Sequence, residues 1–242
     1  MTQPTLALVG VAGGAGTTRT AVEMAATLAR AGRSAAVLDA AYGTQGLATY
    51  VDGRLTDDVT AIGTGDATLD DALYDADYDL PGRVAFAPAH APFERLARAK
   101  TPEAAQRVET AIVDAADRFD HVLLDVPPVA ANQAVAALTT AETRALVVPA
   151  SRHGLDLLPR QRGRLRDLDA PADAVVATRT DTEDSVAVDD AAYRIPDADP
   201  VGPTALDPQS PLSPAVATAV EGLLDTELGL EFEDEGLFDR LG

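Results

Sequence analysis

Residues 5–18 read Thr5-Leu6-Ala7-Leu8-Val9-Gly10-Val11-Ala12-Gly13-Gly14-Ala15-Gly16-Thr17-Thr18, an apolar run that gives way to four glycines in seven residues. A continuous apolar stretch of this length predicts a strand buried on both faces, 5–11. The next segment, 18–31, carries Val22, Ala25, Ala26 and Ala29 at helical spacing and meets Gly32, a helix stop. Glycines between a buried strand and a helix let backbone N–H groups turn inward as an anion nest. The helix adds the positive end of its dipole. An ordinary strand-to-helix turn would not need glycine at this density.

Outward from that loop, strand and helix patterns alternate. Strands are expected at 34–39, 83–87, 119–126, 144–149 and 174–178, and helices at 66–76, 102–118, 130–138, 155–168 and 213–228. In the last helix Ser213 is the expected N-cap and Pro214 the first helical residue. The Pro- and Asp-rich stretch 181–212 reads as loop with one short strand at 193–195. Such alternation predicts an α/β fold, a mostly parallel sheet flanked by helices on both faces in three layers. Ligands of such sheets sit outside the carboxyl ends of the strands. The residues following Val11, Leu38, Leu124 and Val148 are therefore the ones that matter. No internal repeat or long linker divides the chain; residues 1–230 are expected to form one domain and 231–242 an acidic tail.

The net charge is −20 over 242 residues, with a single lysine, Lys100, and no cysteine. Self-repulsion of that size strains a compact fold, but at molar salt the Debye length falls to about 3 Å. The acidity is spread along the chain, so it reads as adaptation to a salty cytoplasm. A partner-binding acidic surface at ordinary salt is the rival reading. No apolar run approaches the roughly 18 residues of a membrane helix. No basic start with a clean apolar segment marks a secretory leader. A cytoplasmic location is expected.

The loop fails the strict pattern G-x-x-x-x-G-K-[ST], because Val11 stands where the first glycine belongs when Gly16 is the second. The segment from Gly10 through Ala40 nevertheless resembles the opening of the MinD/ParA family of P-loop ATPases, whose deviant loop reads K-G-G-x-G-K-[ST]. The resemblance places the cofactor-binding loop on Gly13, Gly14, Ala15, Gly16, Thr17 and Thr18, with Thr18 as the magnesium-binding hydroxyl. The signature lysine of that family falls on Ala12, and the phosphate-gripping lysine on Thr17. A lysine-avoiding composition would have kept the charge as arginine. Arg19 lies one residue too far along, about 100° around a helix. The stretch VLDAAYGTQGL matches the family's D-x-D, with Asp39 near the magnesium and Ala41 where the second aspartate positions water. HVLLDVPPV matches its Walker B strand, with Asp125 reaching magnesium through water. Thr178 stands where the family carries an adenine-reading asparagine. The match runs in order from about Pro4 to Leu228.

The resemblance implies ATP or ADP with magnesium at weakened affinity, or no nucleotide at all. It implies Thr18, Asp39 and Asp125 as metal ligands and no complete catalytic set. Three functions stay open. One is a non-catalytic adaptor or regulator in spatial positioning (cell division, partition or placement of a surface machine), working as a homodimer or beside an active paralogue. Another is a slow ATPase using Thr18, Asp39 and Asp125 around magnesium. The third is a nonspecific DNA-binding partition protein, since Arg160, Arg162, Arg164 and Arg166 cluster in one helix with Arg152 and His153 nearby. A solvated helix facing acidic neighbours would show the same arginines. The tail, EFEDEGLFDRLG from Glu231 to Gly242, is acidic and opposes binding to anionic membrane. It reads as a partner-docking motif or a segment packed on the body. His90, His121 and His153 are scattered and suggest neither metal site nor triad.

Overall fold

The apolar opening run is strand β1 (Thr5–Gly10), buried along its whole length. Its neighbours are β5 (His121–Val126) and β6 (Thr143–Pro149), both parallel to it. The computed structural model describes residues 4–197 and 202–232. In it β2 (Ser34–Asp39), β3 (Tyr74–Asp75), β4 (Arg83–Ala87), β7 (Ala174–Thr178) and β8 (Tyr193–Ile195) complete an eight-stranded sheet in the order β3-β4-β2-β5-β1-β6-β7-β8. Every pairing is parallel except that of the two-residue edge strand β3 with β4.

Alternation along the strands divides the core in two. Leu6 and Leu8 of β1 face helix α1 (Thr17–Arg30) and helix α8 (Leu212–Leu224). Ala7 and Val9 face the other way, toward α5 (Pro102–Ala116), α6 (Asn132–Thr140) and α7 (Arg152–Asp167). The result is the three-layer sandwich that the alternation predicts. In α1 burial is not confined to one side: Thr20 through Ala29 are all buried, because α8 covers the face turned away from the sheet. Alanine at positions 21, 25, 26 and 29 lets three layers meet with little side-chain bulk.

Several boundaries depart from expectation. The helix expected over 66–76 shrinks to α3 (Leu69–Ala72), capped by reciprocal bonds between Thr68 and Asp71. Leu73 is extended, and Tyr74–Asp75 pairs with β4 instead. Two short helices were not foreseen, α2 (Val59–Thr64), capped by Asp58, and α4 (Phe93–Arg98). Ser213 is not the N-cap of the last helix. It lies inside α8, fully buried, with its hydroxyl donating to the carbonyls of Ala205 and Asp207. Pro211 takes the cap position without a side-chain bond. The helix also stops at Leu224, where Asp225 turns left-handed, rather than reaching Leu228. Among the described residues no helix is long and apolar enough to cross a membrane.

Candidate functional site

The strand-to-helix loop after β1 opens onto a cavity of about 350 Å³ at the carboxyl edge of the sheet. Gly14 and Gly16 adopt φ of 73° and 86°, the left-handed region where glycine is at ease. Gly16 is the N-cap of α1, and no side chain satisfies the first N–H groups of that helix. Those amides are left to the cavity, which is how an anion cradle is built from main chain alone. Gly10 has a different reason to be glycine: a Cβ there would lie 2.7 Å from the Thr17 hydroxyl. All six loop residues expected to hold a cofactor, Gly13, Gly14, Ala15, Gly16, Thr17 and Thr18, line this one cavity.

The three expected metal ligands divide between hydroxyl and carboxylates. Thr18 donates its hydroxyl to Asp125 at 2.5 Å. Asp39 and Asp125 are register partners on adjacent strands β2 and β5, so their Cα atoms sit about 5 Å apart. Both are buried. Burial, reinforced by the Asp125 charge, pushes the Asp39 carboxyl up to about 8. Burial likewise raises Asp125, with the Thr18 hydrogen bond pulling the other way. The two Asp39 oxygens accept from the backbone N–H groups of Ala41 (2.7 Å) and Ala89 (3.2 Å), so Asp39 also ties the end of β2 to the loop after β4.

A hydroxyl and carboxylates against a phosphate cradle form the hard-oxygen set that magnesium prefers, completed by water and phosphate oxygens. Without those additions there is no metal cage: among the described residues no group of three histidines or carboxylates could hold an ion. The residues therefore fit a magnesium ion that arrives with an anionic ligand. Thr18 and Asp125 would hold it, with Asp39 behind them, and it would neutralise phosphate charge.

The groups that would act on a bound phosphate are a different matter. Ala12, Thr17 and Ala41 line the cavity with no charge. Arg19 reaches its wall, but its guanidinium is held 2.5 Å from buried Glu23 and donates to the Thr204 hydroxyl at 2.5 Å. Glu23 in turn accepts from the backbone N–H groups of Thr204 and Ala205. Arg19 is thus part of the clamp that fastens the 204–206 turn to α1.

Beside the loop lies a smaller cavity of about 200 Å³, bordered by Tyr50, Thr178, Ile195, Pro196 and Leu212 among others. Thr178 does not offer its polar atom to it freely. Its hydroxyl donates to the Ala15 carbonyl at 2.8 Å, and its Cβ and methyl pack against Gly16. The residue braces the loop.

One residue at this edge escaped the sequence reading. Arg179, directly after β7, adopts φ of 56° and borders both cavities. An arginine immediately after Thr178, at the carboxyl end of a core strand, was the available signal; the left-handed turn that lays it over the loop has none.

The arginine helix is partly spoken for. Arg162 pairs with Asp190 at 2.7 Å and Arg164 donates to the Val129 carbonyl, whereas Arg152, Arg160 and Arg166 are exposed. Of the tail, Phe232 packs near the core with Arg30 5.1 Å above its ring, and positions 233–242 lie outside the described residues.

Comparison with known proteins agrees with this geometry. Residues 4–160, well over half of the chain, match the family described as AAA domain, and the chain belongs to that family. No curated protein matches the chain. The cell division ATPase MinD from Pyrococcus furiosus is similar in structure, with a TM-score of 0.77 at 19% identity over 91% of this chain and 98% of that one. The septum site-determining protein MinD complexed with Mg-ADP from Pyrococcus horikoshii OT3 gives 0.75 at 19% identity, covering 90% and 95%. A ParA family ATPase from Chlorobium tepidum gives 0.73 at 18% identity, covering 90% and 99%. The fold is that of the MinD and ParA ATPases.

Proposed function

We propose that this chain is a MinD/ParA-like protein with a degenerate nucleotide site, a pseudo-ATPase that binds ATP or ADP with magnesium weakly and works as an adaptor or regulator in spatial positioning. One observation carries the reading: a phosphate cradle and a magnesium-type oxygen set stand together in a cavity where Ala12, Thr17 and Ala41 bear no charge. A lysine–phosphate contact is worth about 1.5–3 kcal/mol. Losing two weakens triphosphate binding by about two orders of magnitude or more. With no carboxylate at position 41, nothing on β2 beyond Asp39 is available to orient an attacking water. Pairing with a second copy or with an active relative would then supply the output that turnover supplies elsewhere. The same intact oxygen set, Thr18, Asp39 and Asp125, supports the alternative of a slow magnesium ATPase.

Calorimetry with Mg-ATP at molar salt, run beside a phosphate-release assay, decides between them. Weak binding without release is the expected result. Release that is abolished by Asp125→Ala would establish the enzyme and end the pseudo-ATPase reading. Retention on DNA that falls when Arg160 and Arg164 become alanine would point to the partition function instead.

A further inference from the structure

We propose that Arg179 supplies, from the rim of the cavity, the positive charge that the glycine loop lacks, and that it grips the phosphate chain of a nucleoside di- or triphosphate. This rests on the nucleotide-site reading above and adds the residue on which its remaining affinity depends.

Three cavities meet at the loop. One is the 350 Å³ cradle, one the 200 Å³ cavity beside it, and one, of about 330 Å³, lies behind Gly13 and Gly14 against Ser151 and His153. Arg179 borders all three, and among the described residues no other does. The residue therefore stands where the cradle and its neighbouring cavities adjoin. The position is built. Thr178 locks the end of β7 to Ala15 and Gly16, and the Arg179 carbonyl accepts from the Thr182 hydroxyl at 3.3 Å. The backbone holds a left-handed conformation there that an arginine rarely adopts, so the turn is set by its surroundings and not by the residue.

Electrostatics single out the same side chain. Among the described residues, two cations border the cradle, Arg19 and Arg179. Arg19 is held by Glu23 and Thr204. Arg179 faces Asp197 at 3.7 Å, with both side chains about half exposed. Such a pair is loose and well screened. A phosphate chain carries several negative charges and accepts bidentate N–H donation from a guanidinium, so it competes with one exposed carboxylate. Apart from Asp125 the other residues around the cradle are uncharged, which raises the weight of this one cation.

The test measures binding of Mg-ATP, inorganic tripolyphosphate and adenosine to the full chain at molar KCl. Wild type is compared with Arg179→Gly, which suits the left-handed backbone, and with Arg179→Lys, which keeps the charge. The glycine variant is expected to lose tenfold or more in affinity for Mg-ATP and tripolyphosphate and to leave adenosine unchanged, with lysine recovering most of the loss. Thermal melting of the glycine variant at or above wild type confirms that the fold is intact. Equal affinities for wild type and Arg179→Gly overturn the proposal, and so does an equal loss for adenosine, which would make the residue a base-stacking group. A wild type that binds neither Mg-ATP nor tripolyphosphate sinks the nucleotide-site reading itself; binding that ignores Arg179 sinks only this inference.

Discussion

The two sides of the loop cavity carry different chemistry. On the metal side, Thr18, Asp39 and Asp125 are present, buried or half-buried, and joined to one another or to backbone amides. On the phosphate side, Ala12, Thr17 and Ala41 hold positions where the resemblance expects charge. The difference follows from what each group does when no ligand is bound. Asp39 fastens the end of β2 to Ala89, and Asp125 satisfies the Thr18 hydroxyl, so both serve the fold. A loop lysine would reach into open solvent and stabilise nothing until an anion arrives.

Restoring the phosphate side is the strongest way to break that contrast. Installing Ala12→Lys together with Thr17→Lys should raise Mg-ATP affinity about a hundredfold or more, read by calorimetry at molar salt. No gain would mean that the cradle itself is misshapen and that the lysines are not what limits binding.

The metal side makes its own prediction, in how stability depends on pH. Asp39 has a usual value of 3.8 and is pushed up to about 8 by burial and by Asp125. Below about 4 both folded and unfolded chains hold the proton. Between about 4 and about 8 the folded chain alone holds it, so the Asp39 contribution to stability falls as pH rises through that window. The melting temperature of magnesium-free protein should therefore decline with rising pH more steeply in wild type than in Asp39→Asn. Parallel pH profiles would show that the buried pair is not the cause.

A smaller effect separates glycines kept for backbone shape from those that are incidental. Gly16→Ala forces a Cβ into φ of 86° and should cost about 1–2 kcal/mol. The added methyl would meet Thr178 only at ordinary contact distance. Gly13→Ala should be nearly neutral in stability, because a Cβ there meets nothing within 4 Å. Denaturant midpoints of the two variants make the comparison. Equal losses would mean that space, not φ, governs the loop.

Strands β2, β7 and β8 were legible to the residue, since each is a short apolar or alternating run between clear breakers. Helices α1 and α5 were legible to within two positions, whereas α7 begins three residues before its expected start and α8 ends four before its expected stop. What failed was short or set from outside. α2 and α4 are six residues each, too brief for periodicity to show. The 66–76 segment contains an edge strand that exists only because β4 offers a free side. Ser213 looked like a cap by residue type, yet the carbonyls of Ala205 and Asp207 claim its hydroxyl inside the fold.

The order of the elements, the glycine loop, its oxygen donors and the missing lysines belong to the sequence, because burial period, backbone freedom and side-chain chemistry are properties of residues taken a few at a time. Where a long side chain ends up is not. That Arg19 is bound away by Glu23 and the Thr204 hydroxyl, that Glu23 accepts from the 204–205 amides, that Thr178 braces the loop, and that Arg179 borders the cavity were decided by the tertiary structure. The Arg19–Glu23 pair is itself a local i, i+4 contact, but its partners at 204–205 lie 181 to 185 residues away and Thr178 lies 163 residues from Ala15, and no local pattern encodes such meetings or a backbone turn imposed from outside.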